Sequence, residues 1–198
     1  MMSPCRVVAC TAAAFLLSVV HLSCSKAPSV DWSAPENFFV VEKTERTNDG
    51  ARMEFHSLVD APAADVYHAL ADVEHYATFV TGVSESDLLR TEDETKTIRI
   101  TQAVIGRQSH AEVKWTLHPR DMRLAFETLR SDANFNDGEY QVIASPDGKR
   151  CYVVSIFQVK EKGAPQNVPI GVLEAATRDS FENAARSIKA RALGGAKG

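Results

Sequence analysis

Three sets of residues in this 198-residue chain have types and spacings that chemistry can use. His68, Asp72 and His75 stand four and three apart, which on one continuous helix gathers metal-capable groups on a single face. Asp72 is better placed to cap a second short helix, so the helix breaks between them and no metal site is expected. His110 and Glu112 alternate on a segment of period two, with His118 just beyond, and no carboxylate is spaced to orient either imidazole as an acid or base. Cys151 falls in a strand with no neighbour in sequence that lowers its pKa, and it reads as a small core or cavity residue rather than a nucleophile. The chain contains no zinc spacing, GxSxG, HExxH, phosphate loop or dinucleotide fingerprint. Catalytic residues, metal and cofactor are therefore all expected to be none. Arg99, Arg107, Arg123 and Arg130 are dispersed and the net charge is -4, which argues against a nucleic-acid partner.

The elements that would position these residues are mostly strands. Between Ala51 and Lys160 the period is two, broken by a helical region near Pro62 to Val80. Phe38 to Thr47 is an extended segment, Asn48-Asp49-Gly50 a turn, and Ala51 to Val59 the returning strand, with Met53, Phe55, Ser57 and Val59 on one face. Asp60 or Ala61 caps the helical region, Pro62 sits in its first turn, and Val66, Ala69 and Leu70 share a side. A second short helix runs from Asp72 to about Phe79. Strands are then expected at Ser84 to Arg90, Thr95 to Ile105, Gln108 to Leu117, Met122 to Leu129, Glu139 to Ala144 and Arg150 to Val159, with Asn134 to Gly138 irregular. Parity puts His110 and Glu112 on the face opposite Trp115.

Val168 to Leu193 reads as one long amphipathic helix. Val168, Val172, Ala176, Ala184 and Ile188, widened by Leu173 and Phe181, form its apolar stripe, and Glu174, Arg178, Glu182 and Arg186 form a solvent-facing charged ridge. A strand-rich chain ending on one such helix lays that stripe against its sheet. The expected fold class is therefore α+β: a curved antiparallel sheet of about six to seven strands around the long terminal helix, with two short helices after the first core strand.

The first 24 residues have signal-peptide architecture: Arg6, then an apolar run from Val7 to Val20 that is short for a membrane span. Leu22-Ser23-Cys24 resembles the end of a bacterial lipoprotein signal, which implies lipidation at Cys24 and a membrane anchor. Ordinary cleavage nearby and an uncleaved anchor are the alternatives. Residues 25–37 read as a tether, 38–193 as one domain and 194–198 as a tail. The expected location is the cell envelope after export.

The stretch VDAPAADVYHALADVEHYATFVTGV, Val59 to Val83, resembles the opening of the START-related superfamily, in particular its polyketide cyclase/dehydrase and coenzyme Q-binding branch. The likeness lies in the Ala-Pro start, Val66 and Tyr67, Asp72 and Glu74, and the series Tyr76, Phe79, Val80. It continues more loosely through Trp115, Pro119, Leu124, Phe135 to Tyr140 and the terminal helix. The resemblance implies a helix-grip fold with an elongated apolar cavity that binds or transfers lipids, quinones or polyketides. Trp115, Phe126, Tyr140 and Phe157 are the cavity candidates on strands, Tyr76, Phe79 and Val80 at the mouth, and Leu173, Ala176 and Phe181 on the gripping helix. The expected function is binding of a hydrophobic small molecule. A polyketide or steroid cyclase, dehydratase or isomerase and an interaction module with a collapsed cavity are the alternatives.

Overall fold

A computed structural model of the chain describes residues 29–104, 107–132, 135–160 and 169–195. Among these, β1 (Asn37–Thr47) and β2 (Gly50–Val59) form a hairpin, followed by α1 (Ala63–Ala71), a 3-10 turn (Val73–His75) and α2 (Tyr76–Phe79). The sheet then continues through β3 (Val83–Glu92), β4 (Thr95–Val104), β5 (Arg107–His118), β6 (Arg123–Ser131), β7 (Phe135–Ala144) and β8 (Cys151–Lys160), and α3 (Ile170–Gly195) ends the fold. All strands lie in one antiparallel sheet of order β1-β2-β8-β7-β6-β5-β4-β3.

That sheet has eight strands, not the six or seven expected. The segment before the first turn is a full member, paired with β2 from Asn37↔Leu58 to Thr47↔Gly50. A second correction concerns Phe135–Gly138, expected to be irregular but forming the first part of β7. Asn, Asp and Gly are poor strand formers on their own, yet here β8 pairs along the whole run and β6 takes Asp137 and Gly138. Ladder pairing from both sides overrides local propensity. Gly138 is also required there, because a Cβ would lie 2.2 Å from the Ile156 carbonyl oxygen and 2.8 Å from the Phe126 ring.

α1 begins one residue later than expected. Pro62 takes the cap position, its carbonyl accepting from the Val66 amide at 3.1 Å, and no side chain caps the end. Asp72 precedes the 3-10 turn as expected, but its carboxylate does not cap it. It holds the His75 ring at 2.5 Å and the Arg191 guanidinium at 2.8 Å. α3 packs along α1 and against β1, β2 and α2. Part of the expected solvent ridge also touches β1, although Arg178 and Arg186 stay exposed: Glu174 accepts from the Thr44 hydroxyl at 3.1 Å, and Arg186 lies over the Phe38 ring. Arg186 also pairs with Glu182 at 2.5 Å, one helical turn back. No described helix is long and apolar enough to cross a membrane.

The core forms where α1, the inner face of the sheet and the end of α3 meet. Val66, Val73, Ile98, Leu124 and Cys151 are fully buried there, and Ile188 and Ala192 bring α3 into the same cluster.

Candidate functional site

The cavity arises from the size of the side chains in two neighbouring rows across the inner face. One row runs Trp115, Phe126, Gly138, Phe157 and Met53 on β5, β6, β7, β8 and β2. Gly138 lets the flanking rings close over it, so Phe126 and Phe157 meet at 5.5 Å and the row is filled. The next row runs Leu124, Tyr140, Ser155 and Phe55. Ser155 is the small residue between two aromatic ones and leaves space above it. A cavity of about 70 Å³ occupies that space, roofed by α1 through Val66 and Leu70 and by α3 through Phe181, Ala184 and Ile188.

The expected cavity residues therefore divide. Tyr76, Val80, Tyr140 and Phe181 line the cavity. Trp115, Phe126 and Phe157 do not. They form a closed aromatic wall, with Trp115 against Phe126 at 5.1 Å, Trp115 stacked on Tyr140 at 6.4 Å and Phe157 against Phe181 at 4.2 Å. Parity reports which face a ring occupies but not whether its cross-strand neighbours fill the space beside it. Phe79 stands outside, edge-on to Tyr76 at 5.6 Å and covered by the Arg191 guanidinium. The side chains of Leu173 and Ala176 lie outside the described residues, as do Cys24 and the leader.

Several lining residues were not picked out from the sequence. Phe55 and Ser57 share a strand face and Val66 and Leu70 a helix face, so the pattern placed them inward without showing that they meet at one hollow. Phe38 and Lys189 have no comparable signal, because they come together only through the contact of β1 with α3.

Polar groups in the cavity are few. The Tyr76 hydroxyl donates to the Leu70 carbonyl at 2.6 Å, and the Ser57 hydroxyl donates to the Phe38 carbonyl. Burial, with the nearby Tyr140 oxygen, pushes the Tyr76 phenol well above its ordinary pKa. Tyr140 keeps some accessible surface because it borders the cavity, yet protein encloses it and burial pushes its phenol up as well. Among the described residues, neither the Tyr140 nor the Ser155 hydroxyl has a hydrogen-bond partner, and no carboxylate or imidazole lines the cavity. Beside Phe38 of the lining, the Lys189 ammonium holds both Glu36 oxygens at 2.6 and 2.7 Å and lies 5.5 Å from the Phe38 ring centre.

The other candidate chemistries are placed elsewhere. Asp72, Glu74 and His75 bring ligand-type atoms within 4.8 Å of one another. Lys96 already takes both oxygens of Glu74 at 2.6 Å, and His75 and Arg191 take Asp72. The cluster therefore acts as an ion-pair clamp. His68 lies against the Tyr67 ring and is not part of it. Cys151 is fully buried, and burial pushes its thiol up to about 12. His110 is exposed, and Glu112 faces Arg130 on the side of β5 away from Trp115. A second hollow of about 310 Å³ lies on the outer face between residues 29–37 and the β2–β8 pair, where Tyr152 bonds His56 at 2.8 Å. It is bordered by mixed polar and apolar groups that range from exposed Asp31 and Val40 to buried Leu58.

Solved structures share this fold. The Zhui aromatase/cyclase from Streptomyces sp. R1128 aligns with a TM-score of 0.65 at 19% identity, over 72% of this chain and 93% of that one. A START superfamily protein from Mycobacterium smegmatis aligns with a TM-score of 0.63 at 12% identity, over 72% and 97%. A STAR-related lipid transfer protein from Xanthomonas axonopodis aligns with a TM-score of 0.60 at 13% identity, over 79% and 99%. At these identities the likeness is one of fold. None of the curated proteins matches the sequence. The sequence model described as polyketide cyclase / dehydrase and lipid transport matches residues 50–193, most of the chain, and the chain belongs to that family.

Proposed function

We propose that the chain binds and carries a hydrophobic small molecule of lipid, quinone or polyketide type between its sheet and α3. The observation that carries this reading is the cavity itself, placed between sheet and terminal helix and walled by Phe55, Val66, Leu70, Phe181 and Ile188. Burying apolar ligand surface there gains roughly 25 cal/mol per Å². At about 70 Å³ the hollow is well below the roughly 300 to 1,000 Å³ of a pocket that encloses a drug-sized ligand. It takes one end of such a molecule, and the rest enters as α3 and β1 part at Phe38 and Lys189. The reading takes the sheet to curve about α3, as twisted antiparallel sheets do. A lining without carboxylate or imidazole among the described residues supports carriage over proton-transfer chemistry. Export by the leader and a lipid on Cys24 put the carrier at the cell envelope, with Trp32, Ala34 and Glu36 of the expected tether held against the domain by Arg150 and Lys189.

One observation favours a second reading, an interaction module. Trp115, Phe126 and Phe157 fill the sheet's inner face instead of lining space. Native mass spectrometry with organic extraction of the protein purified from a bacterial host separates the two. A copurifying lipid or quinone supports carriage, and an empty protein that also rejects N-phenyl-1-naphthylamine supports the module.

A further inference from the structure

Tyr140 and Ser155 are register partners on β7 and β8, and both line the cavity. The other polar side chains around it are engaged: Tyr76 with the Leu70 carbonyl, Ser57 with the Phe38 carbonyl, and Lys189 with Glu36. Among the described residues these two hydroxyls have no partner, although Ser155 is nine-tenths buried and Tyr140 is half-buried against the cavity. Buried hydroxyls are normally paired, because leaving one unmade forfeits its hydration without return. Two donors that line one apolar hollow of about 70 Å³ suit an uncharged acceptor oxygen placed within it. An alcohol also fits, accepting from one hydroxyl and donating to the other.

The charge environment narrows the ligand further. Lys189 is the one charged side chain of the described lining, and Glu36 neutralises it. A carboxylate or phosphate carried to Ser155 would be buried without a counter-charge, which low-polarity surroundings penalise heavily. Burial likewise holds the Tyr140 phenol in its neutral, donating form.

We infer that the Tyr140 and Ser155 hydroxyls form a subsite for one uncharged ligand oxygen, so that the ligand enters with a ketone or alcohol end first. This rests on the carrier reading above and narrows it to neutral oxygenated molecules.

The test measures the affinities of the full chain for octane, 2-octanone, 1-octanol and octanoate at pH 8, by displacement of N-phenyl-1-naphthylamine. The ketone and the alcohol are expected to bind at least about tenfold tighter than octanoate, and Tyr140→Phe to lower the ketone-to-octane affinity ratio by about tenfold, the scale of one buried hydrogen bond. Ser155→Ala lowers the same ratio to a smaller extent and carries the test if Tyr140→Phe does not fold. Octanoate binding as tightly as the ketone, or an unchanged ratio in the folded variants, overturns the subsite and leaves the carrier reading standing. Failure of every probe to bind overturns the carrier reading, and the subsite with it.

Discussion

Lys189 of α3 grips both carboxylate oxygens of Glu36, the residue preceding β1, and so ties α3 to the start of β1 beside Phe38 of the cavity lining. Both side chains are about four-fifths buried, so the pair is screened less than a surface bridge. Glu36→Gln should cost about 0.5 to 1 kcal/mol of stability and should speed dissociation of a bound apolar probe. Urea titration and stopped-flow release measure the two effects. Unchanged release would show that this link between α3 and β1 does not control exit from the cavity.

Gly138 sets the filled row. Its alanine variant puts a methyl group against the Ile156 carbonyl, which is backbone and cannot rotate away, and against the Phe126 ring. Overpacking of this kind costs about 1 to 3 kcal/mol, and the backbone clash places Gly138→Ala toward the upper end. Chemical denaturation gives the value. A loss below about 0.5 kcal/mol, the size of an ordinary surface change, would mean that the strands spread apart easily at this point.

Cys151 is buried with its thiol pushed up to about 12. At pH 8 the native protein should therefore leave Cys151 unmodified by iodoacetamide, and labelling should begin only when the protein unfolds. Peptide mass spectrometry resolves this site from the other cysteines. Rapid labelling under native conditions would show that β8 opens locally.

Asp72 joins the 3-10 turn to α3. Burial alone would raise its pKa, but hydrogen bonds from His75 and Arg191 outweigh it and hold the carboxyl below its ordinary value. A carboxyl depressed in the folded state contributes stability that is full above its unfolded pKa of about 3.9 and is lost as pH falls through the folded value. Arg191 is half-exposed, so the contribution is discounted for screening to about 0.5 to 1 kcal/mol. Wild type should lose this increment below about pH 4, and Asp72→Asn, lacking it throughout, should show the shallower acid dependence. Parallel curves in urea would assign no role to the clamp.

The fold was legible where one periodicity ran without interruption. β2 and β5 alternate cleanly in sequence, β8 stands out as a run apolar on both faces, and Phe181, Ala184 and Ile188 place the inward side of α3. The beginning of β7 was hidden because Asn136, Asp137 and Gly138 look like a turn until their neighbours on β6 and β8 are known. Of the residues singled out in the sequence, Tyr76, Val80, Tyr140 and Phe181 border the hollow. Trp115, Phe126 and Phe157 were assigned to it because they are large, apolar and inward. Whether such a ring borders a hollow or fills it depends on cross-strand neighbours such as Gly138 and Ser155, and that register is set by pairing across the sheet.

The central claim is that the space between the sheet and α3 takes up an apolar molecule, and Ala184 on α3 faces that space. Fluorescence titration of wild type and Ala184→Phe with N-phenyl-1-naphthylamine tests it most directly, with circular dichroism confirming that the variant is folded. Saturable one-to-one uptake by wild type and at least about a tenfold loss in the variant, or roughly 1.4 kcal/mol, is the expected result. Equal uptake by the two proteins, or none by either, would contradict it.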